Sequence, residues 1–310
     1  MSHHGHPRAS SPADVRRLAG ALGLILGLMA VEVVVGILAS SLALLSDAGH
    51  MLTDAGAIGM SLVAARLAAR PARGAMTYGL GRAEILSAQA NGVTLLVLAA
   101  LIAYEGVRRL ASPPDVHGWP VLAVALAGIV VNLAAAGILA GAERRSLNVE
   151  GSFQHVLTDL YAFIGTALAA LVILTTGFDR ADPIASLAIA ALMVRSGYGL
   201  VRASGRVFLE AAPEGVDPNA IGRALAGQPG VVEVHDLHIW EVTSGFPALS
   251  AHVLVGRDTD CHAARRSLEH LLHTAFDIEH TTLQVEHEGG ELLQVDTGGA
   301  KYPQQPHGGQ

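Results

Sequence analysis

"SDAGHMLTDAG", residues 46–56, sets Asp47, His50 and Asp54 within a long apolar run. Charge in such surroundings is costly unless something compensates for it. Working outward, the surroundings stay apolar in both directions. Residues 18–205 are dominated by Ala, Leu, Val, Ile and Gly, whereas the chain after about 208 is mixed and polar. Of the 310 residues 51% are hydrophobic and only 15% charged, and the mean hydropathy is +0.43. Soluble chains carry nearer a quarter charged residues, so a membrane domain followed by a soluble one is expected.

A helix that crosses a bilayer needs roughly 20 mostly apolar residues. Six stretches qualify, at about 18–39, 42–66, 85–107, 119–141, 151–177 and 183–204. Short polar punctuation separates them, such as "RPARGAMTYGLGR" (70–82), "SPPDVHGWP" (112–120) and "ERRSLN" (143–148). Arg8, Arg16, Arg17, Arg66, Arg70, Arg73, Arg82, Arg144, Arg145, Arg202 and Arg206 fall on one side, against Arg108, Arg109 and Arg180 on the other. The excess marks the cytoplasmic face and places both termini there. Arg195, deep in the sixth span, is expected to snorkel toward that face. The polar start, "MSHHGHPRASSPADVRR", does not read as a cleavable signal. Short loops and compact tails point to a cell inner (plasma) membrane.

Beyond the last span the periodicity changes. A short helix (217–230), two alternating strands (231–242 and 247–256) joined through "TSGF", an amphipathic helix (259–276) and a third strand (281–288) describe a small α+β domain. The division expected is a His-containing cytoplasmic tail (1–17), a six-helix transmembrane domain (18–207), a cytoplasmic α+β regulatory domain (208–290) and a disordered tail (291–310). A net charge of −7 excludes nucleic acid as a partner. A single cysteine, Cys261, excludes an internal disulfide and any Cys-cluster zinc site.

His50 and Asp54 are four apart and share a helix face, with Asp47 a turn earlier. "SFQHVLTDLYA" (152–162) repeats the spacing as His155 and Asp159 in the fifth span. Both pairs fall near mid-membrane, on spans that run in opposite directions. Two imidazoles and two carboxylates around one point suit tetrahedral Zn²⁺, and two aspartates offset its charge. Protons compete for the same atoms, which is the chemistry of an exchanger. Asp47 is read as orienting a ligand or lining the mouth of the site. Glu32, Gln89, Asn91 and Asn132 are read as interhelix hydrogen-bonding groups.

Four stretches, "SLALLSDAGHMLTDAG" (41–56), "TYGLGRAEILSAQANG" (77–92), "HVLTDL" (155–160) and "VHDLHIWEVTSGFPALSAHV" (234–253), resemble the cation diffusion facilitator family of metal–proton antiporters, zinc-type branch. The resemblance covers nearly the whole chain except the tails. It implies a homodimer, six transmembrane helices and a C-terminal cytoplasmic α+β metallochaperone-like (ferredoxin-like) domain. It also implies a transport site of His50, Asp54, His155 and Asp159, with zinc as the cargo and cadmium or cobalt as further substrates. Members often carry histidine in the loop between the second and third spans. Leu80 and Gly81 stand there in this chain, and no metal site is expected in it.

In the cytoplasmic domain the resemblance picks out His235, His252, His262 and Glu286 as ligands of a regulatory zinc site at the dimer interface. Gln284 stands where some members have histidine, and His280 or His287 can substitute. His238, His270 and His273 read as surface or helix residues, Cys261 as an ordinary helix residue and Trp240 as core or interface. The function expected is export of divalent cations in exchange for protons. A membrane sensor or scaffold that binds zinc without moving it would keep the sites and show no flux. A membrane metallohydrolase is disfavoured by the absence of HExxH; the chain does not read as an enzyme.

Overall fold

The computed structural model describes residues 11–38, 42–112, 118–142, 146–178 and 180–288. Within these, the side chains of Glu32, residues 35–38, residues 42–50, Thr53, Gly118 and Pro120 lie outside the described residues. The N-terminal histidines and the tail after 288 lie outside them too.

Long helices coincide with all the expected spans: α1 (Pro12–Leu38), α2 (Leu42–Ala68), α3 (Arg82–Ala111), α4 (Gly118–Ala140), α5 (Leu147–Thr176) and α6 (Ala181–Phe208). Over the described residues, α3, α5, α6 and Val121–Ala140 of α4 are long and apolar enough to cross a membrane. Several helices outrun the hydropathy pattern; α5, expected from 151, starts at Leu147. Hydropathy marks what lipid touches, but a helix continues until a cap stops it. Ser146 caps α5, its hydroxyl accepting from the Asn148 N–H at 3.3 Å, and Gly177 ends it at φ 68°, a left-handed conformation that glycine adopts without strain.

The chain divides into two compact units. The first joins residues 1–216 to Ile239–Ala248. Its larger apolar core, built from α1, α2, α4 and α5, includes Leu18, Ile25, Met51, Ile58, Leu139, Val149 and Val156. A second core joins α3 and α6 through Leu95, Ala99, Ile189, Met193 and Leu200. Between those two helices Gly92 and Gly197 let the backbones touch: a Cβ built on Gly197 would lie 2.8 Å from the Gly92 carbonyl oxygen. Apolar side chains such as Val97, Leu101, Val130, Leu133 and Leu168 point outward, as expected where the solvent is lipid, and exposed Trp119 and Tyr104 lie near helix ends, where amphipathic rings favour the interface.

Ile239–Ala248 is the tip of the hairpin formed by β1 (Val231–Thr243) and β2 (Phe246–Val255). Its own apolar cluster holds Val242, Phe246 and Ala248 with Trp240 against them. The tip is fastened to the helices by polar bonds. Arg82 Nε donates to the Val242 carbonyl at 3.1 Å, and the Leu147 N–H at the start of α5 donates to Ser244 Oγ at 3.2 Å. The rings of Tyr78 and Phe246 meet edge to face, centroids 6.5 Å apart.

The second unit, Asp217–His238 with residues from Leu249 onward, carries α7 (Pro218–Ala226), α8 (Cys261–Phe276) and β3 (His280–His287). The three strands form one sheet in the order β1-β2-β3, so the order helix, strand, strand, helix, strand expected from the periodicity is the one found. Ile221, Leu225, Leu249, Leu268, Leu272 and Ile278 are buried in this unit. Asp217 caps α7 and Asp260 caps α8. Two backbone N–H groups, of Ala263 and His262, hold the Asp260 carboxyl below its ordinary range.

Candidate metal centre

α5 presents His155 and Asp159 one turn apart, and α2 brings Asp54 against them. Nε2 of His155 lies 3.1 Å from Asp54 Oδ1 and 3.7 Å from Asp159 Oδ2. One ligand atom from each of the three residues falls within 4.8 Å of the others. All are buried, at 6% exposure for Asp54, 1% for His155 and 8% for Asp159. His50 lies in α2 one turn before Asp54, and Asp47 precedes it; both side chains are outside the described residues.

Ionised carboxylates only accept, and Nε2 is the imidazole nitrogen placed to donate to them. The other ring nitrogen, Nδ1, is buried and has no hydrogen-bond partner among the described residues. A cation that takes Nε2 displaces any proton held on that atom. The cluster therefore has the donor set of a zinc site and a geometry in which cation and proton exclude each other.

The other intramembrane polar residues divide. Asn91 and Asn132 are buried, while Gln89 is half-buried. Asn132 was expected to bond between helices, but its Nδ2 donates to the Gly128 carbonyl of its own helix at 3.1 Å.

In the second unit His235 and His252 stand on adjacent strands, ring centroids 5.2 Å apart. The residue that joins them is Asp236. Its Oδ2 is 3.3 Å from His235 Nδ1 and 3.7 Å from His252 Nδ1, and the three form a group with ligand atoms within 4.8 Å. His262 and Glu286 are not in that group. His262 is exposed at the start of α8, and Glu286 is exposed on β3, hydrogen-bonded to Gln284. Strand alternation sends neighbours to opposite faces, which hid Asp236 from sequence reasoning. Its backbone is left-handed, φ 48°, and this turns it to the same side as His235. The one signal available was its position inside "HDLH". Cys261 Sγ lies 3.5 Å from the ring nitrogens of His287, whose Nε2 is 3.0 Å from the Thr259 carbonyl.

Comparison with known proteins gives matches over both parts of the chain. Residues 18–209 match the family described as cation efflux transmembrane domain, and residues 213–288 match that described as cation efflux protein, cytoplasmic domain. The chain is 39% identical over 270 residues to the cadmium, cobalt and zinc/H(+)-K(+) antiporter of Bacillus subtilis (strain 168), covering 86% of each. It is 38% identical over 293 residues to zinc transporter ZitB of Escherichia coli (strain K12), covering 93% of each. A solved structure, the metal-bound C-terminal domain of the CzcD transporter from Cupriavidus metallidurans, shares 36% identity over 23% of this chain and 99% of that one, with a TM-score of 0.22.

Proposed function

We propose, from the premise that this chain belongs to the cation efflux family, that it exports divalent cations from the cytoplasm in exchange for protons. Zinc is the principal cargo; cadmium and cobalt follow, because raw affinity separates these ions poorly. The observation that carries this reading is the convergence of the Asp54 and Asp159 carboxylates on His155 Nε2 inside the membrane domain. His50, one turn before Asp54, supplies the fourth ligand, and Asp47 orients it or lines the mouth.

The cycle follows from one atom serving two ions. Facing the cytoplasm, the site gives up the Nε2 proton and takes the cation between imidazole and carboxylates. Facing outward, protons arriving at the same atoms displace it. The chain is a multi-pass membrane protein with its C-terminal domain cytoplasmic; we place it in the plasma membrane, both termini inside, as a homodimer joined through the cytoplasmic domains. The domain limits are those of the sequence reading, 18–207 for transport and 208–290 for regulation. His235 and His252, with His262 and Glu286 brought in from α8 and β3 by dimerisation, hold regulatory zinc.

The test is zinc flux in proteoliposomes under an imposed pH gradient, wild type against Asp159→Ala. Gradient-driven flux that the substitution abolishes supports the exchanger. Zinc binding without flux, in folded and inserted wild-type protein, would establish a sensor or scaffold in its place.

A further inference from the structure

Away from the deep cluster, the buried polar side chains of the helical unit fall into register. α2 carries Ser61 seven residues after Asp54, and α5 carries Asn148 seven residues before His155. Seven residues are about two turns, or about 10 Å. The two helices meet at both levels. Asn148 Nδ2 donates to the Ser61 carbonyl at 2.8 Å, as His155 faces Asp54 two turns away. α3 adds a third stripe, Glu84, Ser87 and Asn91, at the i, i+3, i+7 spacing of one helix face. Ser87 Oγ is 3.4 Å from Ser61 Oγ. Asn91 stands against α5 at Gly151, where a Cβ would come within 3.6 Å of its Nδ2. None of Ser61, Ser87, Asn91 and Asn148 exceeds 3% exposure.

Among the described residues, the amide oxygens of this column, Oδ1 of Asn91 and Oδ1 of Asn148, have no hydrogen-bond donor. A buried amide oxygen without a donor destabilises the fold. Asn148 is on α5, and Asn91 on α3 packs against Gly151, three residues further along α5; apolar side chains of similar size would fill the space without that cost. The two asparagines lie toward the start of α5 from the deep site, the side from which the cation comes if the chain is the exporter proposed above.

We propose that the Asn91 and Asn148 amide oxygens form a station for the incoming cation, about two turns on the cytoplasmic side of His155. It holds a partly hydrated divalent cation through neutral oxygens, with the Ser61 and Ser87 hydroxyls beside it. Carbonyl oxygens suit harder ions better than zinc, which favours imidazole, so they hold it less tightly than the deep site does. A station of this kind strips water without trapping the ion, and leaves the choice among metals to the imidazole and carboxylates beyond.

The test uses the full chain in proteoliposomes, with zinc on the cytoplasmic face and KM and maximal rate measured separately. Asn91→Asp keeps the shape and adds a charged ligand; KM should fall by about tenfold and the maximal rate with it, because the ion is held. Asn91→Leu removes the oxygen and should raise KM by about tenfold. Asn148→Asp, at a helix N-terminus that welcomes negative charge, should lower KM as Asn91→Asp does, and serves if Asn91→Leu does not fold. If both asparagines only pack helices, the aspartate variants lower the maximal rate or the melting midpoint and leave KM unchanged, which overturns the station alone. Wild-type protein that shows no flux overturns the exporter and the station together.

Discussion

Nε2 of His155 can hold a proton or a metal ion but not both, and the carboxylates on either side stabilise whichever positive charge is there. Replacing an outer partner of a metal ligand already costs 10–100-fold in affinity in well-studied sites. Asp54→Asn, which keeps the shape and removes the charge of a proposed ligand, is therefore expected to weaken zinc binding by about 100-fold or more and to end pH-driven flux. Calorimetry and flux on the same preparation check it. The sequence made His155 and Asp159 neighbours by spacing alone. It could not say that Asp54 would be 3.1 Å from the imidazole, because that distance depends on how α2 and α5 cross. Asp236 was beyond its reach for a different reason: the strand pattern that announces β1 assumes alternation, and one left-handed residue breaks it. Asp236→Ala should weaken zinc binding in the cytoplasmic part of the chain, and metal titration in an Asp54→Asn background isolates that effect.

Among elements, α3 and α6 depend on the absence of side chains at their crossing. A Cβ on Gly197 would approach a backbone carbonyl at 2.8 Å, whereas one on Gly199 would meet nothing within 4 Å. Gly197→Ala should prise the helices apart and destabilise the protein by about 1–3 kcal/mol, while Gly199→Ala should leave the melting midpoint nearly unchanged. The hairpin tip gives a pH-dependent counterpart. Burial pushes the Glu241 carboxyl above its ordinary range, against the Gly245 N–H bond and Arg206, which lower it. The folded chain thus binds this proton more tightly than the unfolded chain. Stability from the group is complete below its unfolded pKa and is lost as pH rises through the raised value. Glu241→Gln can still accept from Gly245 and should melt higher than wild type at neutral pH, the advantage shrinking in acid. Helices and strands were legible because hydropathy and alternation are local; the contacts that join them are set by crossing and register, which no local pattern encodes.

At the scale of the whole molecule, zinc should favour association of two chains if His235 and His252 hold it at an interface. Sedimentation with and without chelator is expected to show that shift in the wild type and to lose it in His252→Ala. The broad division into apolar helices and a polar α+β part was plain from composition. The sequence did not announce that Ile239–Ala248 would pack with the helices, since its residues read as any hairpin's do. That arrangement gives the two halves of the gene product a lock and a key. A chain severed between residues 208 and 217 would leave one piece with the partners of the tip missing at Tyr78, Arg82 and the start of α5, and the other with Phe246, the Val242 carbonyl and Ser244 Oγ stripped of theirs. Each would be adhesive alone, and each is the natural stopper for the other, so two fragments made side by side in one cell should reassemble.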